Sequence, residues 1–361
     1  GEARLDAMLL FAQESMYWLT GYDTFGFCFF QCMVVEKSGD VALLTRSADL
    51  RQARHTSNVE TITVWEDRSH ANPTKDLREL LADRDLLGAR IGVEYDSAGL
   101  NARYGQLLDE QMKSFAEMRD ASALIPKLRA VKSEAEIAFA RKAAELADDA
   151  FDAAMKTIKA GADEAAILAA LQGEILARGD YPGNEFIIGS GEDALLCRYK
   201  AGRRTLGDND QLTLEWAGAW RRYHAALMRT VVIGTPTERH VEMHAAARSA
   251  LEAVERAMRP GNTFGDVFEA HAHALEEAGM TRHRLNACGY SLGGHFAPCW
   301  MDKPMFYAGN PEPIVPDMTL FAHMIIMDSD SGTAMTLGRT YLTTDGAPEP
   351  LSRLGLDLPV A

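Results

Sequence analysis

The stretch of sequence that most constrains the fold covers residues 212–230 and reads LTLEWAGAWRRYHAALMRT. Leucine and tryptophan alternate there with smaller or polar residues, and this period of two is typical of a strand with two different faces. Gly218 interrupts the run, and a second alternating run begins at Tyr223. The pattern therefore predicts a β-hairpin with one strand on each side of the break.

Glu215 is the chemically unusual residue of this hairpin. It falls on the strand face away from Leu214 and Trp216, because successive strand residues point to opposite sides. Burying a carboxylate without a partner is costly, so a carboxylate between apolar neighbours indicates either chemistry or exposure to solvent. His224 shares a strand face with Ala226 and could relay a proton there, or could be a half-exposed strand histidine.

The composition narrows the function class. The chain has 361 residues, enough for two domains, and a formal net charge of -15 with a pI near 5.1, which argues against nucleic-acid binding. Its five cysteines are scattered without paired spacing and predict reduced thiols in a cytoplasmic protein. No apolar run approaches the roughly 18 residues of a membrane helix. We therefore expect neither a nucleic-acid partner nor a membrane partner.

The order of predicted elements gives two domains. Residues 1–125 alternate strands and helices, which predicts an α/β domain with a mixed sheet. The aromatic-rich segment 17–30 within it is read as core and loop packing, with a lid or a partner-subunit surface as the alternative. Pro126 precedes a capping box formed by Ser133 and Glu136, so a long helix opens the second domain, residues 126–361.

The second domain is predicted as two helices, the hairpin, two further helices and two long strands. The first pair of helices begins at the capping box and at residue 164, and the second pair covers residues 241–258 and 265–277. The strands cover residues 318–328 and 333–344. This order is compatible with two related halves. The histidine pairs on the later helices are predicted to lie at the surface: His240, His244, His271 and His273.

Four short motifs of the second domain carry a family resemblance. The hairpin ends in Arg229-Thr230, residues 289–293 read GYSLG, residues 295–298 read HFAP, and residues 343–346 read TTDG. Together they resemble the creatinase, prolidase and methionine aminopeptidase family, which has the pita-bread fold. The first domain resembles that family's creatinase-type N-terminal domain. The resemblance implies an α/β (α+β) chain with a catalytic pita-bread domain, and a homodimer.

The metallopeptidases of this family hold two divalent ions with two aspartates, one histidine and two glutamates. Transferred one by one, these positions fall on Glu215, Ala226, Tyr290, His323 and about Leu337. A two-ion site needs several oxygen or imidazole donors, and alanine and leucine provide none. The resemblance therefore implies that the metal site has been lost and that no cofactor is held. A residual or unusual divalent metal site stays open as the alternative.

The resemblance extends to metal-independent members of the family, ectoine hydrolase and creatinase, which cleave C–N bonds of amidine-like groups. With ectoine hydrolase the chain shares a Glu-x-Ala-Gly…Arg-Tyr-His-Ala hairpin and a Gly-Tyr loop without histidine. This implies a hydrolase acting on a small, nitrogen-rich molecule that bears a carboxylate. Two alternatives remain, a metal-dependent Xaa-Pro dipeptidase or aminopeptidase and a non-catalytic small-molecule binding protein.

The predicted site combines the hairpin with these motifs. The predicted catalytic residues are Glu215, His224, His295 and His323, and the predicted substrate-binding residues are Arg198, Tyr199, Tyr290 and Asp328. Arg198 stands where prolidases and creatinase place a histidine, and a permanently charged guanidinium suits a substrate carboxylate rather than base catalysis.

Each assignment has a structural alternative. His323 could be a satisfied core histidine, His295 a plain loop residue, and Asp328 the cap of a turn. Arg229 is expected to pair with a carboxylate beneath the sheet.

Overall fold

The computed structural model describes residues 4–197 and 204–361 and divides the chain into two compact units, Gly1–Arg129 and Ala130–Ala361. This division falls just beyond residue 125, where the sequence places the domain boundary. None of the helices in the described ranges is long and apolar enough to cross a membrane.

The first unit is built on a six-stranded mixed sheet in the order β4-β3-β2-β1-β5-β6. The pairs β1–β5, β3–β4 and β5–β6 are parallel, whereas β1–β2 and β2–β3 are antiparallel. The strands are β1 Ala7–Leu10, β2 Cys32–Glu36, β3 Val41–Arg46, β4 Thr61–Trp65, β5 Arg90–Val93 and β6 Glu117–Asp120. The helices are α1 Gln13–Thr20, α2 Leu50–Thr56, α3 Pro73–Asp83, α4 Ala102–Met112 and α5 Leu124–Ala130.

Helix α1 covers the first residues of the aromatic-rich segment 17–30, and Tyr22 and Phe30 in the rest of that segment are buried. The first turn of α1 is held by Glu94, which follows β5. The Glu94 carboxylate accepts hydrogen bonds from the backbone N–H groups of Phe11 and Ala12 and from the Ser15 hydroxyl. Burial raises the pKa of Glu94 while these donors lower it, and the net shift is upward. Gly21, at a φ of 79°, ends the helix.

The second unit contains an eight-stranded sheet in the order β11-β10-β12-β13-β9-β8-β7, with β14 paired to β13. Its strands are β7 Ile187–Ser190, β8 Asp210–Trp220, β9 Tyr223–Ile233, β10 Gly289–Ser291, β11 Asp302–Met305, β12 Thr319–Asp328, β13 Thr333–Leu342 and β14 Glu349–Pro350. Its helices are α6 Glu134–Met155, α7 Glu164–Arg178, α8 Glu238–Ala257 and α9 Phe264–Glu277. Helices α6 and α7 contact β8, and α8 contacts β12 and β13.

The hairpin β8–β9 is longer than predicted. The expected break at Gly218 is wrong, because β8 continues through it to Trp220. A Cβ at Gly218 would lie 1.9 Å from the carbonyl oxygen of Ala143 on α6, so the glycine permits helix and strand to approach closely. Arg221 and Arg222 form the turn with φ angles of 50° and 65°.

Helix α6 begins with the predicted capping box, and α8 and α9 begin with similar ones. The surface assignment of the helical histidines is wrong for two of them. His240 is buried, and its Nδ1 accepts the Thr237 backbone N–H in the capping box of α8. His271 is buried next to the Phe268 ring, with centroids 5.6 Å apart.

Candidate active site

Cross-strand register brings the predicted site residues to one face of the second sheet. Glu215 on β8 lies opposite Met228 on β9, Met228 lies opposite Gly338 on β13, and Gly338 lies opposite His323 on β12. Directly opposed residues of antiparallel strands point to the same side of a sheet. We call this side the Glu215 face.

Ala226 and Tyr290 also belong to the Glu215 face. Ala226 precedes Met228 by two residues, and its N–H donates to the Thr340 hydroxyl at 2.9 Å. Tyr290 lies opposite Phe321, which precedes His323 by two residues. Four of the five family metal positions therefore meet on this face.

The fifth position, Leu337, does not lie there. It is opposite Met324 and Arg229, and its side chain packs in the apolar core with helix α8. The approximate assignment of this position to Leu337 therefore does not fit the Glu215 face. The residues of β13 around Leu337 that do share the Glu215 face are Thr336, Gly338 and Thr340, and none of them carries a carboxylate.

Three side chains form a hydrogen-bonded series in the Glu215 face. The Trp300 indole N–H donates to the Tyr290 hydroxyl at 3.0 Å, and that hydroxyl donates to Oε1 of Glu215 at 3.3 Å. All three are buried, with Glu215 at 8% exposure, which excludes the surface-glutamate alternative. Burial, followed by the nearby Glu215 charge, raises the pKa of Tyr290 well above its usual range, so the phenol is neutral.

His323 lies beside the same tyrosine. Its ring centroid is 5.7 Å from that of Tyr290 and 5.4 Å from that of Phe321. The side chain is buried, and its backbone N–H donates to the Cys288 carbonyl. Tyr290 is thus in contact both with the carboxylate of Glu215 and with the imidazole of His323.

His224 is completely buried at the end of the Glu215 face nearest the hairpin turn. Its Nε2 accepts the Gly183 backbone N–H at 2.7 Å, which assigns the ring proton to Nδ1. Burial, then the neighbouring His295, lowers the pKa of His224 to about 3. A neutral imidazole whose lone pair is already engaged does not suit the predicted proton relay.

His295 lies in the loop that follows β10, against the turn of the hairpin. Its backbone N–H donates to the Arg222 carbonyl at 3.0 Å, and its Nδ1 is 3.2 Å from the Phe296 carbonyl oxygen. The side chain is partly buried. The structure thus places His295 near His224 rather than in the row that joins Glu215 to His323.

Asp328 does not join the site residues, which corrects its predicted substrate role. It ends β12 on the opposite face, where Arg239 of α8 contacts it at 2.7 Å and the N–H groups of Asp330 and Ser331 donate to it. Burial alone would raise the pKa of Asp328, but the hydrogen bonds, from Ser331 and Arg239 above all, lower it to about 2. It caps the turn, as the structural alternative expects.

Arg229 also has a structural place, but not the expected one. Its guanidinium donates to the carbonyl oxygens of Met228, Gly338 and Gly355 rather than to a carboxylate. Burial, followed by the Arg339 charge, lowers the pKa of Arg229 to about 10. The predicted substrate-binding residues Arg198 and Tyr199 lie outside the described residues.

The donor set of the Glu215 face does not fit two metal ions. Across residues 4–197 and 204–361, no group of three or more histidine, cysteine, aspartate or glutamate side chains is placed to hold a metal ion. At the family positions Ala226 is apolar, and Tyr290 presents a neutral phenol that is already hydrogen-bonded to Glu215.

Trp300 is the residue that sequence reasoning missed. It lies two residues after Pro298 of the HFAP motif, at the end of the loop that begins at Gly293. That proximity to a family motif is the one signal that could have indicated it, because nothing in the sequence shows that its N–H reaches Tyr290.

Comparison with known families agrees with this architecture. The metallopeptidase family M24 model matches residues 138–345, and the creatinase/prolidase N-terminal domain model matches residues 1–131. The chain therefore belongs to metallopeptidase family M24 and is a hydrolase of that family. The predicted fold is confirmed, with a creatinase-type N-terminal domain followed by a pita-bread domain.

Individual relatives refine this placement. The chain is 26% identical to an ectoine hydrolase from Halomonas elongata, over 96% of this chain and 91% of that protein. It is 24% identical to an Xaa-Pro dipeptidase from Pyrococcus furiosus, over 51% of this chain and 53% of that protein. An X-Pro aminopeptidase from Thermotoga maritima has a similar structure, with a TM-score of 0.87 at 19% identity over 100% of this chain and 97% of that one.

Proposed function

We propose that this protein hydrolyses a C–N bond of a small, carboxylate-bearing amidine, cyclic amidine or amide without a dinuclear metal site. The observation that carries the proposal is the hydrogen bond from Tyr290, at a family metal-ligand position, to the Glu215 carboxylate. The likeness to an ectoine hydrolase over nearly the whole chain supports it.

Glu215 is the reactive group in this proposal. A buried carboxylate attracts a cationic amidinium strongly, because Coulomb interactions are little screened away from water. Glu215 takes a proton from a water molecule, whose oxygen adds to the amidinium carbon, or adds to that carbon itself as a nucleophile that water later displaces. The C–N bond then breaks and the leaving nitrogen receives a proton, so that an amidine gives an amide and an amine, whereas an amide gives a carboxylic acid and an amine.

The neighbouring residues orient this reaction. Tyr290 stays protonated and keeps its hydrogen bond on Oε1 of Glu215. His323, whose ring centroid is 5.7 Å from that of Tyr290, exchanges a proton with the leaving nitrogen in this proposal. We assign the substrate carboxylate to Arg198, whose guanidinium offers a bidentate contact, and to Tyr199 beside it.

The test is a substrate panel with purified protein. It contains a cyclic amidine carboxylate, an open-chain amidino acid, a guanidino acid and Xaa-Pro dipeptides, assayed by mass spectrometry of the products. We expect turnover of at least one amidine-type compound and none of the dipeptides. Turnover of the dipeptides alone would identify a conventional Xaa-Pro peptidase. A raised melting temperature without any turnover would identify a binding protein.

A further inference from the structure

We propose that Trp300 is a positioning residue that orients Glu215 through the hydroxyl of Tyr290. This inference rests on the proposed role of Glu215 as the reactive carboxylate. It assigns a function to a residue that lies outside all the family positions considered above.

The direction of the hydrogen bonds follows from the chemistry of the three groups. An indole N–H can only donate, so the Tyr290 oxygen must accept from Trp300 across their 3.0 Å contact. The phenol proton is then directed away from Trp300 and toward Oε1 of Glu215 at 3.3 Å. Without the indole N–H, the same hydroxyl could rotate to another acceptor and release the carboxylate.

Packing keeps the indole of Trp300 in this orientation. The side chain is 1% exposed, and its ring lies 6.2 Å from that of Phe186 and 6.2 Å from that of His224. His224 is itself held by the Gly183 N–H at 2.7 Å. A buried series of contacts therefore runs from the Gly183 N–H through His224, Trp300 and Tyr290 to the Glu215 carboxylate.

The arrangement matters because catalytic groups act only when they are held in a productive geometry. A flexible carboxylate would spread over several rotamers, and only some of them would direct it toward substrate. Tyr290 and Trp300 restrict Glu215 through the hydrogen bond on its Oε1 atom. Trp300 thus affects the reaction without touching the reacting atoms.

The first test is Trp300→Phe, which removes the N–H and keeps an aromatic ring. Trp216→Phe is the matched control, because Trp216 is also buried, donates its N–H to the Ala147 carbonyl at 2.8 Å and stacks on Phe151. For Trp300→Phe we expect kcat to fall by about tenfold with KM changed by less than about threefold. The control should keep its kcat even where its melting temperature falls as much.

A double-mutant cycle separates positioning from packing. If Trp300 acts through Tyr290, adding Trp300→Phe to Tyr290→Phe should cause no further loss of kcat, because the connection is already broken. Independent, multiplying losses in the double variant would contradict the proposal. So would a kcat loss in Trp216→Phe as large as that in Trp300→Phe.

A second measurement does not depend on any substrate. In ¹⁵N-labelled protein, the indole N–H signal of Trp300 is identified by its disappearance in Trp300→Phe. We expect this signal to move in both Tyr290→Phe and Glu215→Gln, while the Trp216 signal stays in place. A Trp300 signal unaffected by Tyr290→Phe would refute the inference. If the panel shows no turnover but the signals move as expected, the proposed function fails and the hydrogen-bonded connection stands.

Discussion

Glu215 is distinguished from Glu255, another glutamate bonded to a tyrosine, by the side of the second sheet on which it lies. Glu255 also accepts a hydrogen bond from a phenol, that of Tyr341 at 3.1 Å. That pair joins α8 to β13 on the side of the sheet away from Glu215. A tyrosine–glutamate contact is therefore ordinary in this protein. Its location among the metal-ligand positions of the family is what makes the Tyr290–Glu215 contact indicative of chemistry.

Glu255 therefore provides a matched control for a substitution of Glu215. Glu215→Gln keeps the size of the side chain and removes the carboxylate, so we expect turnover to fall by at least about a thousandfold, as for an essential general base or nucleophile. Glu255→Gln should leave kcat within about twofold. Steady-state kinetics with circular dichroism of both variants measures this. Comparable activity in the two variants would refute the assignment of Glu215.

His323 can be tested in the same way. His323→Ala should lower kcat by roughly 10²-fold or more, the usual contribution of a positioned proton-transfer group. His273→Ala is the control, because His273 lies on the exposed side of α9. If His323 is only a core residue, its loss would lower the melting temperature and leave kcat near that of the control.

At the scale of elements, strands and helices with local signals could be predicted from the sequence. The capping box at Ser133 and Glu136 and the alternation around Glu215 both correspond to the observed elements. Helix α1 could not be predicted in this way, because its first turn is held by Glu94 from a distant strand. Gly218 was misread because its partner, the backbone of α6, is also remote in sequence.

Gly218 gives a stability prediction for the contact between β8 and α6. Gly218→Ala should lower the free energy of unfolding by more than about 2 kcal/mol, because a methyl group there overlaps the Ala143 carbonyl. Gly173→Ala, inside α7 with open space around its Cα, should raise it by about 0.5–1 kcal/mol. Urea unfolding measures both values. A neutral Gly218→Ala would contradict the close approach.

In the candidate site, too, the sequence predicted what depends on local motifs and missed what depends on contacts between distant segments. The positions of Glu215, Ala226, Tyr290 and His323 followed from motif resemblance, and the register brings them to one face. The Trp300–Tyr290–Glu215 series did not follow, because hydrogen bonds between separate loops and strands leave no spacing pattern. The burial of His224 depends on its tertiary neighbours as well.

For the whole molecule, buried histidines predict a loss of stability in mild acid. Burial is the main cause that lowers the pKa of both His224 and His271 to about 3, against about 6.5 when unfolded. The folded chain therefore binds fewer protons between these values, and stability falls as pH drops below about 6.5. The slope is up to about 1.4 kcal/mol per pH unit for each histidine.

Urea unfolding at pH 7.5 and 5.5 tests this slope. His271→Gln should reduce the difference between the two pH values, because it removes one of the two groups. Asp328, with its pKa near 2, contributes only at lower pH, since its stabilisation is lost between about 3.8 and 2. An unchanged pH dependence in His271→Gln would contradict the burial of a neutral histidine in the fold.

The whole active molecule is proposed to work without the two metal ions of its family. The most direct measurement is the rate of amidine hydrolysis by protein treated with chelator, with its metal content determined by mass spectrometry on the same sample. We expect less than about 0.1 metal ion per chain and an unchanged kcat, because Ala226 and Tyr290 stand at two family ligand positions and the neighbouring β13 residues Thr336, Gly338 and Thr340 carry no carboxylate. Activity lost on chelation and restored by manganese, iron, cobalt or zinc would contradict the claim.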